Sequence, residues 1–253
     1  MKERSLMNDL VYGRNAVREV LRAQRRTLVR LLVAAGANEA GTLAAVTQQA
    51  RIAGVTVERV DRRELERLVH GVNHQGVVLE CGPYPYVDVD AMLARAEQRA
   101  EPALLLMLDH LQDPQNIGTL LRTAEVVGVH GVITPGRRAA EITPAVVNAA
   151  SGATEHLLIA EVTNVVQTIQ QLQRAGVWVA GVEDDPAAQS YDAVDLDGPL
   201  ALVLGAEGAG LARLTRERCD YLVRLPMRGE IASLNVAVAG SILLYHAWRV
   251  RAR

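Results

Sequence analysis

The sequence contains no phenylalanine, and aromatic residues make up only 3% of its 253 positions. Any core must therefore be packed from Leu, Val, Ala and Ile. Its two cysteines, Cys81 and Cys219, lie far apart without a partner spacing, which predicts reduced thiols rather than a disulfide framework. The six histidines form no Cys/His cluster, so no metal site is expected. No stretch approaches the roughly 18 apolar residues of a membrane span. The opening MKERSLMNDL lacks the apolar run of a signal peptide, and a cytoplasmic protein is the expectation. No strand is followed by G-x-G-x-x-G, which argues against a nucleotide-dependent dehydrogenase.

What is present is an uneven charge distribution. The formal net charge is −2, but residues 1–30 carry eight Lys or Arg against three acids, and residues 213–253 again carry eight against three. The body between them is acidic. Basic ends on an acidic body offer two surfaces to a polyanion. Arginine-rich helices that merely carry solvated charge would look the same, and charge alone leaves both readings open.

Hydrophobic patterning divides the chain into two α/β series. In the first, helices are predicted over 12–26, 40–53 and 62–69, with strands over 28–35, 55–60 and 75–81. CGPYPYVDVD then reads as linker, followed by a helix over 90–100. In the second series strands are predicted at 103–111, 130–135, 156–162, 177–183, 201–205 and 221–226, with helices over 116–128, 141–150, 164–175, 208–218 and 232–250. Near-continuous apolar strands alternating with helices indicate a parallel sheet covered on both faces. Ligands of such sheets collect at the carboxyl ends of the strands.

Three unusual stretches fall at those ends. In LDHLQDPQNIGTLLRTAEVVGV (108–129), Asn116 stands near a helix start and Arg122 lies within apolar neighbours. Helix capping is the commonest use of an asparagine there. A buried arginine demands a carboxylate or a phosphate. In LVLGAEGAGL (202–211), glycines surround one carboxylate, Glu207, which would repel a phosphate. In LPMRGEIASLNVAVAGSILLYHAWR (225–249), Ser233 and Asn235 open an apolar helix, with Ser233 as its expected cap.

Taken together, N-x-G-x₃-R, G-x-E-x₂-G and P-M-x-G-x₃-S-L-N-V, in this order, resemble the three signature motifs of the SpoU family of RNA ribose 2′-O-methyltransferases, of the SPOUT class. The resemblance covers residues 103–253. YGRNAVREVLR and NHQGVVL (73–79) extend it to the small RNA-binding α/β domain, related to a ribosomal-protein fold, of the subgroup that modifies guanosine in large-subunit (23S) ribosomal RNA. It implies an RNA-binding domain over 1–80, a linker over 81–102, and a catalytic domain over 103–253 whose parallel sheet ends in a trefoil knot. It further implies S-adenosylmethionine as cofactor, a homodimer, and Asn116, Arg122, Glu207, Ser233 and Asn235 as the polar active-site residues. By position Gly205, Leu225, Met227 and Leu234 would hold the cofactor. The resemblance gives Glu207 the task of holding Arg122 or neighbouring polar groups, and places Arg122 beside the target phosphate and hydroxyl to draw off or stabilise the proton. Since an arginine is a poor base, phosphate anchoring and alkoxide stabilisation is its preferred role, with base action the alternative. Arg228, Gly229 and Glu230 depart from the small polar residues usual in the third motif and would alter the rim of the pocket. The alternatives are a transfer-RNA enzyme of the same family and a catalytically silent rRNA-binding assembly factor.

Overall fold

The computed structural model describes residues 8–38, 40–136, 141–230 and 233–252. The basic residues Lys2, Arg4 and Arg253, and Ala232 of the third stretch, lie outside them. In chain order the first elements are β1 (Asp9–Tyr12), α1 (Arg14–Ala23), β2 (Leu28–Ala34), α2 (Thr42–Ile52), β3 (Thr56–Val60), α3 (Arg62–Leu68) and β4 (Val77–Cys81). There follow α4 (Val89–Arg99), β5 (Leu104–Leu108), α5 (Pro114–Val126), β6 (Gly131–Pro135), α6 (Pro144–Ala149), a 3-10 turn (Ala153–His156) and β7 (Ile159–Val162). The chain continues with α7 (Val165–Arg174), β8 (Trp178–Val182), β9 (Gln189–Ser190), β10 (Leu200–Leu204), α8 (Arg213–Arg218), β11 (Tyr221–Arg224) and α9 (Val236–Arg251). No described helix is long and apolar enough to cross a membrane.

The chain packs into two compact units, and the division does not follow the sequence order. One takes the chain up to Pro85 together with Ile142–His156; the other takes Tyr86–Glu141 and Leu157–Arg253. Of the stretch predicted as linker, Cys81 ends β4 and residues 89–99 form α4, whose Met92 and Ala96 belong to the core of the second unit.

In the first unit four strands run in the order β1-β4-β2-β3, with β4 antiparallel to both neighbours and β2 parallel to β3. Alternation along β2 and β4 buries Leu32, Ala34 and Val78 on one face, against Leu65 and Val69. Segment 153–156 is held by a buried ion pair: Arg26 donates to both oxygens of Glu155, at 2.7 and 3.0 Å, and to Asp9 at 2.9 Å. Burial pulls the Arg26 guanidinium toward a lower pKa, but the bidentate bond to Glu155 outweighs it and leaves the pKa raised. The helix predicted over 141–150 exists as α6, but hydrophobic periodicity carries no mark of which sheet it packs on.

The second unit is built on a seven-stranded, wholly parallel sheet in the order β7-β6-β5-β10-β8-β11-β9. β10, LALVL, is buried at every residue because it sits centrally with both faces covered. One face carries Leu105, Met107, Ala201 and Val203 under α4 and α7. On the other, α9 lies against α5 and β10. Gly240 makes this possible, since a Cβ there would meet Leu204 and Leu120 at 2.4 and 2.5 Å. Cys81 and Cys219 are both free thiols, with pKa values pushed up to about 12, chiefly by burial.

Candidate functional site

β8, β10 and β11 all end on the same edge of the second unit, and the loops that leave them enclose a cavity of about 550 Å³. Its walls come from Val182–Asp184 after β8, Leu204–Gly210 after β10, and Arg224, Leu225, Met227 and Ser233–Val236 after β11, with Ala239 of α9. A second cavity of about 480 Å³ adjoins it, lined by 110–113, Asn116, Ala206 and Glu207. Ala206 and Glu207 border both.

The glycines around Glu207 make the loop possible. Gly208 and Gly210 have φ of 72° and 66°, the left-handed region that favours glycine. Ala206 and Gly210 exchange backbone hydrogen bonds at 2.9 and 3.0 Å, so the loop folds back on itself. A Cβ at Gly205 would lie 2.2 Å from the Gly210 carbonyl carbon. The absence of a side chain at 205 thus serves the closure of this loop. These positions also stop α8 from starting at 208; it begins at Arg213.

Glu207 stands at the tip of the loop and accepts hydrogen bonds from two amides, Asn116 Nδ2 and, at 3.4 Å, Asn235 Nδ2. Asn235 Nδ2 also donates to Asn116 Oδ1 at 2.9 Å. Of the two roles implied for Glu207, holding a cation or holding polar groups, these bonds are of the second kind. Each amide is fixed by its own element. Asn235 Oδ1 caps α9, accepting from Ala237 and Val238 backbone N–H at 2.9 and 3.2 Å, which turns its Nδ2 toward the cluster. Asn116 is buried in the first turn of α5, and the cap of that helix is Asp113, whose Oδ1 accepts from Gln115 N–H at 3.1 Å. The helix caps are therefore Asp113 and Asn235, not Asn116 and Ser233. Hydrogen bonds to an ionised acceptor are stronger than neutral ones, so this three-way contact pins loop, α5 and α9 at one point.

The other residues singled out in the sequence divide. Ser233, Gly205, Leu225, Met227 and Leu234 line the first cavity. Leu234 is 46% exposed and leaves apolar surface there. Arg228, Gly229 and Glu230 are exposed. Arg122 is exposed on α5 and is not among the described residues lining either cavity, whereas its apolar neighbours in sequence predict burial.

Four polar residues of this edge escaped notice in the sequence: Glu183, Asp184, Arg224 and His110. Arg224 Nε is buried without a hydrogen-bond partner among the described residues, and Glu183 Oε2, although 2.9 Å from Arg216 Nε, lacks hydrogen-bond geometry. Buried polar atoms are nearly always satisfied, and such orphans at a cavity wall are what a ligand would complete. All four lie at or just past the carboxyl end of a strand, which was the available signal. Among the described residues no group of His, Cys, Asp and Glu could hold a metal ion.

Fold and site together define a parallel α/β ligand-binding unit whose polar cluster is gathered from three segments distant in sequence. The comparisons with known proteins give that class its family. Residues 103–245 match the SpoU rRNA Methylase family, and residues 10–87 match the domain described as RNA 2′-O ribose methyltransferase substrate binding. The chain belongs to the SpoU methylase family. It is 43% identical to the 23S rRNA (guanosine-2′-O-)-methyltransferase RlmB of Pseudomonas syringae pv. tomato, over 96% of each chain. It is 40% identical to YacO of Bacillus subtilis, a putative TrmH family tRNA/rRNA methyltransferase, over 98% of each. Among solved structures, the SpoU methyltransferase AviRb from Streptomyces viridochromogenes, in complex with AdoMet, superposes with a TM-score of 0.78 at 25% identity, covering 97% of this chain and 91% of that one.

Proposed function

We propose that this protein transfers the methyl group of S-adenosylmethionine to the ribose 2′-hydroxyl of a guanosine in 23S ribosomal RNA. The observation that carries the reading is the convergence of all three motif stretches at the wall shared by the two cavities, through the Asn116–Glu207–Asn235 contact. RlmB, 43% identical over nearly the full length, supports the substrate, and the AdoMet complex of AviRb supports the cofactor.

The first cavity fits that cofactor in chemical kind. Leu204, Leu225, Met227, Leu234 and Val236 offer apolar surface to an adenine, Glu183 and Asp184 offer acceptors to hydroxyls and an ammonium, and the unpartnered Arg224 Nε offers a donor to a carboxylate. S-adenosylmethionine supplies the electrophilic methyl group. Glu207 and its two amide partners give the edge of the cavity a fixed polar wall that needs no rearrangement during reaction. The 2′-hydroxyl is a very weak acid, so its developing negative charge needs stabilisation. We assign that role, together with anchoring of the RNA phosphate, to Arg122, since a guanidinium forks its donors toward an anion.

Arg122 would reach the reaction across a homodimer interface. The neighbouring surface of α5 and α9 exposes Val126 at 60%, Val238 at 47% and Trp248 at 44%, with Ile242 and Tyr245 beside them, an apolar patch suited to a second copy of the chain. In this reading each copy completes the other's site. The first unit, with its substrate-binding match, holds the RNA. The knotted chain path implied by the family resemblance is part of the same proposal, as are the cytoplasmic location and the division of the chain into RNA-binding and catalytic domains.

The test is to map 2′-O-methylated riboses in total RNA from cells with and without this gene. Loss of one guanosine signal from 23S rRNA is expected. Loss of a signal from transfer RNA alone would move the substrate, and no change in any RNA would overturn the enzymatic reading.

A further inference from the structure

The second cavity contains an imidazole that the motifs do not account for. β5 ends at Leu108, and the next residue is held by the neighbouring strand: Asp109 N–H donates to the Leu204 carbonyl at 2.7 Å. Asp109 is wholly buried, and both of its carboxylate oxygens accept hydrogen bonds. Oδ2 takes the Ala212 backbone N–H at 2.9 Å, and Oδ1 lies 2.6 Å from His110 Nδ1. In the neutral imidazole a carboxylate beside Nδ1 places the hydrogen on that nitrogen and leaves Nε2 as an acceptor. His110 has φ of 63°, a left-handed conformation sparsely populated by residues with side chains and found preferentially at functional sites.

The same cavity is lined by Asp113, Asn116 and Glu207. Asp113 Oδ1 caps α5, and Oδ2 has no hydrogen-bond partner among the described residues. The charged and titratable groups around His110 are thus Asp109 on its own segment, Asp113 on α5 and Glu207 on the β10 loop, all of them acceptors. A volume of about 480 Å³ is within the range of small-molecule sites, and the cavity shares a wall with the one assigned to the cofactor.

We propose that this cavity seats the target base and that His110 and Asp113 select guanine. The inference rests on the function proposed above and deepens it. An enzyme acting on a single nucleotide within a folded RNA can read the extruded base by hydrogen bonds to its Watson–Crick edge. Guanine alone among the four bases presents two adjacent donors there, N1–H and the exocyclic amino group. Adenine and cytosine present one donor beside an acceptor, and uracil presents one donor between two acceptors. A wall that offers His110 Nε2 and Asp113 Oδ2 therefore complements guanine and leaves an acceptor facing an acceptor with the others. Asp109 acts here through His110, as a positioning residue.

The test compares two versions of the rRNA fragment that the wild type methylates, one with guanosine and one with inosine at the methylated position. Inosine lacks only the exocyclic amino group. Single-turnover methylation by the wild type should favour guanosine by about tenfold or more, the scale of one good base contact. Asp113→Asn keeps a capping residue but replaces the free acceptor with a donor, and His110→Asn keeps a side chain that tolerates the left-handed backbone. The variant at the acceptor that meets the exocyclic amino group should bring the two rates to within about threefold of one another, and the other should lower both rates together, with cofactor affinity retained as the check on folding. Where a variant turns over too slowly to time, the equilibrium affinities for the two fragments give the same ratio. Equal rates for the two RNAs with the wild type, or an undiminished preference in both variants, would overturn this assignment alone. A wild type that methylates no rRNA would overturn the proposed function and this inference with it.

Discussion

The two ends of the parallel sheet solve opposite problems. At the amino end the polar groups are satisfied internally. Arg251, near the end of α9, donates to the carbonyls of Leu196 and Pro102 at 3.0 and 2.9 Å and to that of Gly198. His130 accepts from Leu104 N–H at 3.0 Å and pairs with Glu101 at 3.1 Å. Asp220 accepts from Val179 N–H and the Gln173 amide. At the carboxyl end the buried Arg224 Nε lacks such a partner among the described residues, and the loops fold around open space. α9 spans the difference, with Asn235 capping it at the site and Arg251 anchoring it at the far end. In a sheet of one direction, the amino end is where the fold closes its hydrogen bonds and the carboxyl end is where it leaves them for a ligand.

That contrast can be broken by substitution. The largest effect is expected for Arg122→Ala, which should lower methyl transfer by about 10³-fold or more, the scale of losing a donor to a developing oxyanion. Cofactor affinity, measured by titration calorimetry, should stay nearly constant, because Arg122 is not among the described residues lining the cofactor cavity. Transfer at the parental rate would remove Arg122 from the mechanism. Next comes Gly205→Ala, whose Cβ would strike the Gly210 backbone. The loop must move, and cofactor affinity should fall by roughly tenfold or more, about 1.4 kcal/mol, as the same titration would show. At the amino end, Arg251→Ala should cost about 1.5–3 kcal/mol in urea unfolding, the worth of hydrogen bonds to a charged group, while the folded fraction binds cofactor as before.

The smallest effect is in pH. Burial, the principal cause, lowers the His130 pKa from 6.5, and the bond to Glu101 only partly opposes it. The unfolded chain then takes up a proton that the folded chain resists. The contribution of His130 to stability is therefore complete above about pH 6.5 and is lost as pH falls toward the folded value. The thermal midpoint should decline over that window, and His130→Gln should flatten the decline.

Much of this was legible in the sequence, and the failures have particular causes. Continuous apolar runs such as LLLML and LALVL, short and bounded by polar or turn-forming residues, marked the buried parallel strands. The four residues of β1 are too few to show a period, and Tyr12, predicted to begin a helix, is its last residue. Helix starts slipped where several capping residues stood close together. Asp113 followed by Pro114 is the cap and first-turn pattern, and it set the start of α5 two residues before Asn116. Asn116, Glu207 and Asn235 stood out through the order of their motifs. His110 and Arg224 did not, because a single polar residue at a strand end has no periodic signature until the strands are placed side by side. The return of Ile142–His156 to the first unit rests on contacts such as the Arg26–Glu155 pair and the Asn148 amide on the Tyr12 carbonyl, between residues that no local pattern connects.

The contrast between the sheet ends is tested most directly by hydrogen–deuterium exchange of the whole protein with and without S-adenosylmethionine. Protection should gather in peptides covering 182–184, 204–210 and 224–236, and exchange around 193–200 and 220–222 should be unaltered. Protection centred on the amino-end segments, with the three strand-end loops unaffected, would contradict the account.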